Sequence, residues 1–164
     1  MYIKEFSIDG FGIFSECLIR DLPNGLIVVS GNNECGKSTL MQFFRMVLFG
    51  PAKGNRNAYL PLSGGQHGGR LRLEMKDGRE VLVERQGKNV TIVDSGKTHS
   101  TEPSACLLNN MDRQTYERVF AMGLEDLQGF EVLTEENAQA RLMAAGAGLG
   151  AASVPDTLRK LNRK

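Results

Sequence analysis

The sequence predicts a mixed α/β fold, on three observations. A short unbroken apolar run, Leu26-Ile27-Val28-Val29, leads into a glycine-rich loop. An amphipathic stretch follows the loop at once. Three alternating runs, Leu71-Arg72-Leu73, Val81-Leu82-Val83 and Val90-Thr91-Ile92-Val93, are separated by turn residues. The first two observations describe a strand, loop and helix in series, and the third an antiparallel meander beside them.

Taken in order, residues 2–8 partly alternate apolar and polar side chains and residues 17–22 repeat this more weakly. Two half-buried strands are predicted, joined by a turn over residues 10–15. Pro23-Asn24-Gly25 turns the chain into Leu26-Ile27-Val28-Val29, a run of the kind buried on both faces of a sheet. Beyond the loop, Leu40, Phe43, Phe44, Val47 and Leu48 recur every three or four residues, which predicts a helix over residues 38–49 stopped by Gly50-Pro51. Residues 52–69 are rich in glycine without periodicity and read as a long exposed, mobile loop. Asp77-Gly78, Gly87-Lys88-Asn89 and Ser95-Gly96 punctuate the meander between residues 70 and 101. Helices are then predicted over residues 104–110, 112–120 and 134–145. Residues 155–164 begin another, with Leu158 and Leu161, and end without a cap, as a piece cut from a longer chain would.

The composition, 41% hydrophobic and 24% charged, is that of a globular domain, so disorder is not the default. A net charge of +1 supplies no broad field for nucleic acid or an acidic membrane, and any DNA contact has to come from a local patch. Cys17, Cys35 and Cys106 are odd in number and lack metal or redox spacing. The first twenty residues mix charges into apolar sequence, unlike a leader or a membrane span. A soluble protein of the reducing cytoplasm is expected.

The loop Gly31-Asn32-Asn33-Glu34-Cys35-Gly36-Lys37-Ser38 matches G-x-x-x-x-G-K-[ST] and sits between the strand and helix such a loop requires. By chance the string arises roughly once in two hundred chains of this length, so the context favours a P-loop. Glycines at both ends let the backbone wrap, aiming successive amides and the helix start at phosphates. Lys37 is placed for the β- and γ-phosphates, Ser38 for magnesium and Thr39 for a further phosphate bond. A nucleoside triphosphate, ATP, with Mg2+ is the expected ligand.

Other strings carry less. Leu62-Ser63-Gly64-Gly65-Gln66 spells the ABC signature but directly follows the P-loop helix, where that signature does not belong, and is read as a glycine-rich loop. Val90-Thr91-Ile92-Val93-Asp94 looks like a Walker B strand, yet Ser95 follows it and turns flank it, which fits the meander better. Gly146-Ala147-Gly148-Leu149-Gly150 is no dinucleotide fingerprint. His67 and His99 lack ligating neighbours and read as loop histidines. Arg159, Lys160, Arg163 and Lys164 read as a solvated helix face.

Five pieces resemble the ABC-type ATPase heads of the SMC, RecN, RecF and SbcC group, and within it the YhaN-like bacterial proteins. They are Ile8-Asp9-Gly10-Phe11-Gly12, the P-loop through Thr39, Leu62-Ser63-Gly64-Gly65-Gln66-His67-Gly68-Gly69, the stretch from Tyr116 to Gln128, and the run from Ala144 to Gly150. The resemblance implies a P-loop NTPase core forming the N-terminal half of such a head over residues 1–152, with helices leading to a coiled coil that starts at residues 153–164. It implies phosphate binding by Gly31, Asn32, Asn33, Glu34, Cys35, Gly36, Lys37, Ser38 and Thr39, with Gln128 as the glutamine that contacts magnesium. It further implies that the signature, Walker B strand and catalytic glutamate lie in a C-terminal half beyond this chain. The partners implied are that half, a second head joined on ATP, DNA and a nuclease subunit. On this reading the chain alone carries no catalytic residue. Two rivals stay open: a tethering module that binds ATP without hydrolysis, and a small P-loop kinase using Arg70 and Arg72.

Overall fold

A computed structural model describes residues 1–51 and 58–121 of the chain. It divides into two units, Met1–Pro103 and a second beginning at Ser104.

The first unit is a six-stranded antiparallel sheet with one helix against it. Strands β1 (Tyr2–Phe11) and β2 (Phe14–Ile19) form a hairpin. Its turn is only Gly12 and Ile13, tighter than the six-residue turn expected, because the pairing continues up to Phe11 opposite Phe14. Helix α1 spans Lys37–Phe49. Strands β3 (Gly68–Glu74), β4 (Glu80–Gln86), β5 (Asn89–Asp94) and β6 (Lys97–His99) form the meander. The order across the sheet is β2-β1-β3-β4-β5-β6.

Alternation explains which face is covered. Leu71 and Leu73 on β3, Val81 and Val83 on β4 and Ile92 on β5 are buried, and they meet Phe43, Met46, Val47 and Leu48 of α1 together with Phe6, Ile8 and Phe11 of β1. The intervening side chains face outward and pair by charge. Arg70 reaches Asp9 at 3.7 Å, and Arg72 lies between Glu5 at 3.9 Å and Glu80 at 3.6 Å. These are the arginines a phosphoryl-transfer site would have used, and here they serve cross-strand ion pairs.

The helix buries two residues that periodicity did not single out, Arg45 and Met46. Arg85 of β4 is also enclosed, at 1% exposure. Its Nε donates to the Val47 carbonyl at 3.0 Å and its guanidinium bonds the Glu102 carboxylate. A cation at the last turn of α1 satisfies a carbonyl left over at the helix end and opposes its negative pole.

The predicted strand at residues 26–29 is corrected. Among the described residues these four pair with no strand, and Leu26, Ile27, Val28 and Val29 are 92%, 41%, 77% and 57% exposed. The six strands of the sheet satisfy one another, while a central strand of the buried kind needs neighbours on both sides. The turn before it is held in place: Leu22 N–H donates to the Lys4 carbonyl at 3.0 Å, and Lys4 Nζ bonds Asn24 at 3.2 Å. A cleft of about 470 Å³ lies beneath the run, lined by Ile3, Phe6, Ile19, Ile27, Leu40 and Phe44 among others. Leu40 and Phe44, expected in the core, are therefore only half-buried.

In the second unit a single helical turn (α2, Pro103–Cys106) crosses its border, and α3 spans Arg113–Val119. Asp112 caps α3, accepting from Thr115 N–H at 2.9 Å and from the Thr115 hydroxyl at 2.6 Å. The helices expected over residues 104–110 and 112–120 are thus a short turn and a seven-residue helix. The predicted helices over 134–145 and 155–164, the glycine run at 146–150 and Gln128 lie outside the described residues.

Candidate nucleotide site

The loop between the exposed run and α1 has the geometry its glycines allow. Glu34 and Gly36 both adopt left-handed conformations, with φ of 65° and 98°. Gly36 is the N-cap of α1 and offers no side chain to cover the helix start. The first helical bond runs from Leu40 N–H to the Gly36 carbonyl at 2.8 Å, so the amides of Lys37, Ser38 and Thr39 have no partner within the helix. No acidic residue occupies the first turn. An uncapped start of this kind presents amide donors and the positive end of the helix to one small region, which is what an anion requires.

Lys37 curls back over that region. Its Nζ donates to the Gly31 carbonyl at 2.8 Å and the Asn32 carbonyl at 2.6 Å, and lies 3.8 Å from Cys35 Sγ. The ammonium is therefore set at the mouth of the loop, held by carbonyls rather than neutralised by a carboxylate. Among the described residues nothing bonds the Ser38 hydroxyl, which is exposed at the first turn. A hard cation there would have one protein oxygen and would take its other ligands from phosphate and water, as magnesium does. The P-loop residues named from sequence thus form one connected loop and helix start.

Two features close to this loop were not legible in the sequence. The first is the packing of the hairpin turn against the loop: an ideal Cβ on Gly36 would lie 2.6 Å from Ile13 and 2.8 Å from Phe14, and one on Gly12 would lie 2.9 Å from the Thr39 methyl. The second is an aromatic stack on Phe11, formed by Tyr59 at 5.1 Å and His67 at 5.4 Å. His67 is half-buried, and desolvation pulls its pKa below the ordinary value of 6.5. His99 instead lies exposed on β6. Asp94, the carboxylate of the apparent Walker B string, accepts from Arg79 at 2.6 Å within the meander.

Comparison with known proteins follows the same outline. The model of the family AAA_27, described as an AAA domain, matches residues 1–164. The chain belongs to this AAA domain family. Over 127 residues it is 28% identical to the uncharacterized protein YhaN of Bacillus subtilis (strain 168), a match covering 73% of this chain and 13% of YhaN. The chain thus spans a small part of the curated relative it matches. Among solved structures, one described as "Structural biochemistry of ATP-driven dimerization and DNA stimulated activation of SMC ATPases" superposes with a TM-score of 0.60 at 13% identity, over 87% of this chain and 98% of that one. The AAA domain therefore shares the fold of an SMC-type ATPase head, with its antiparallel sheet and P-loop helix. Among the described residues no helix is long and apolar enough to cross a membrane.

Proposed function

We propose that this AAA domain binds ATP with Mg2+ as the N-terminal half of an SMC- or SbcC-like ATPase head. The observation that carries the reading is the open row of amides at the start of α1 with Lys37 Nζ poised on the Gly31 and Asn32 carbonyls. Phosphate oxygens entering the loop would take those amides and the ammonium, and the Ser38 hydroxyl would be a ligand for the cation, which would offset the charge of the phosphates. Residues 1–152 make up this half-head, residues 153–164 start a coiled coil, and Gln128 completes the magnesium site.

The exposed run at residues 26–29 and the cleft beneath it support a second part of the reading. Four apolar residues that pair with no strand among the described residues, placed directly before the P-loop, suit a strand that the remainder of the protein completes. The small share of YhaN that the match covers agrees with this. In the assembled protein, ATP would bridge two heads, hydrolysis would separate them, and DNA would be the substrate handled, in the cytoplasm and beside a nuclease partner. The base for hydrolysis comes from the C-terminal half, so the chain alone binds nucleotide weakly and turns it over negligibly.

Calorimetric titration with Mg-ATP tests the reading. Saturable binding that disappears in Lys37→Ala is the expected outcome. Equal affinity in that variant would refute the site, and vigorous ATPase activity by residues 1–164 alone would refute the half-head.

A further inference from the structure

The glycine-rich stretch at residues 59–69 has no part in the site described above, although it holds the string Leu62-Ser63-Gly64-Gly65-Gln66. Its contacts are specific. Tyr59 and His67, near its two ends, both stack on the buried ring of Phe11, with interplanar angles of 10° and 15°. Between them the backbone is tied to the hairpin turn in both directions: Gly12 N–H donates to the Tyr59 carbonyl at 2.8 Å, and Leu62 N–H donates to the Gly12 carbonyl at 2.9 Å. A Cβ on Gly10 would lie 2.8 Å from Pro61, so the strand and the stretch touch closely. The far end is fixed by Gly87 N–H donating to the His67 carbonyl at 2.9 Å, and by a bond from Gln66 to Gln86.

The same turn presses on the P-loop, through Gly12 on Thr39 and through Ile13 and Phe14 on Gly36, and a Cβ on Gly12 would meet Tyr59 at 3.5 Å as well as Thr39 at 2.9 Å. Stretch, turn and helix start therefore meet at Gly12. Tyr59 has a φ of 61°, an unfavourable conformation for a bulky residue that persists only where packing over-determines it. Here the stack on Phe11 and the bond to Gly12 supply that packing.

The geometry points to residues 59–69 as a strap that positions the P-loop, holding Phe11 and Gly12 so that the turn fixes Gly36 and Thr39 in the phosphate-binding conformation. Tyr59 and His67 are its positioning residues, acting through Phe11 and Gly12. The string resembling the ABC signature is then the bend of this strap, where Gly64 and Gly65 supply positive φ. The inference rests on the reading of residues 31–39 as a triphosphate site, but the strap's effect on the loop is measurable without nucleotide.

Amide hydrogen exchange and Mg-ATP titration are compared for the full chain, Tyr59→Ala, His67→Ala and the conservative variants Tyr59→Phe and His67→Phe. The strap predicts about tenfold faster exchange at Leu40 and its neighbours in both alanine variants, with the β3 and β4 amides unchanged. It predicts about tenfold weaker Mg-ATP binding, with both effects reversed by phenylalanine, since one lost factor of ten matches a modest loosening of a site. Exchange that rises equally over the whole sheet, or not at all at Leu40, overturns the strap. Selective loosening at Leu40 in a protein that binds no Mg-ATP supports the strap and refutes the triphosphate reading. Wild-type affinity in the alanine variants, where the unchanged protein binds Mg-ATP and Lys37→Ala does not, overturns the strap alone.

Discussion

The meander and the run before the P-loop are built from similar residues and end in opposite conditions. Leu71, Leu73, Val81 and Val83 are fully buried, whereas Leu26 and Val28 are 92% and 77% exposed. The difference lies in where each finds its neighbour. Strands β3, β4 and β5 meet across turns of a few residues, so the ladders between them are closed by sequence-local chain, from Leu71 opposite Val83 to Val83 opposite Ile92, and β1 supplies the other neighbour of β3. Residues 26–29 have no such partner among the described residues. Apolar character sets a demand for burial, and topology decides whether the same stretch of chain can meet it.

That contrast is open to direct attack, beginning with the largest effect. Phe43→Ala empties the centre of the packed face and should cost about 3–5 kcal/mol in urea unfolding. Glu102→Ala leaves the guanidinium of Arg85 enclosed without its carboxylate. The expected loss is about 2 kcal/mol, less than for a fully enclosed pair because Glu102 is half exposed. A loss below that of an ordinary surface change would remove Arg85 from the account of how α1 ends.

A smaller effect concerns pH. Burial lowers the pKa of His67 in the folded chain, so the unfolded chain takes up the proton first as pH falls. The sign follows: His67 has no influence well above pH 6.5, and stability declines as pH drops below 6.5. His67→Phe should flatten that decline in melting temperature, and an unaltered pH profile would show that the ring titrates freely. The smallest effect is expected at Val28→Ser, within about 0.5 kcal/mol, because the side chain is already in water. A cost like that of Phe43→Ala would mean the run is packed in this chain after all.

The parts of the molecule that read correctly from sequence are those with local causes. Alternation gave the meander, and three- and four-residue spacing gave α1. The turn of the loop into α1 was legible because its conformational demands fall on particular residues, Gly36 above all. Residues 26–29 misled because an apolar run states a need and not its fulfilment. The stack of Tyr59 and His67 on Phe11 joins residues 48 and 56 positions from their partner, and nothing periodic marks such a meeting. Nothing in the sequence singles out Arg85, since its partners are the Val47 carbonyl at the end of α1 and Glu102.

The most direct test of the central claim follows the backbone amides of Gly36, Lys37 and Ser38 by nuclear magnetic resonance as Mg-ATP is added, with AMP as the comparison. If the uncapped start of α1 receives phosphates, these amides shift strongly with Mg-ATP and little with AMP, while β4 and β5 stay still. Shifts of equal size with AMP, or none at these three positions, would contradict the assignment of the loop as a triphosphate site.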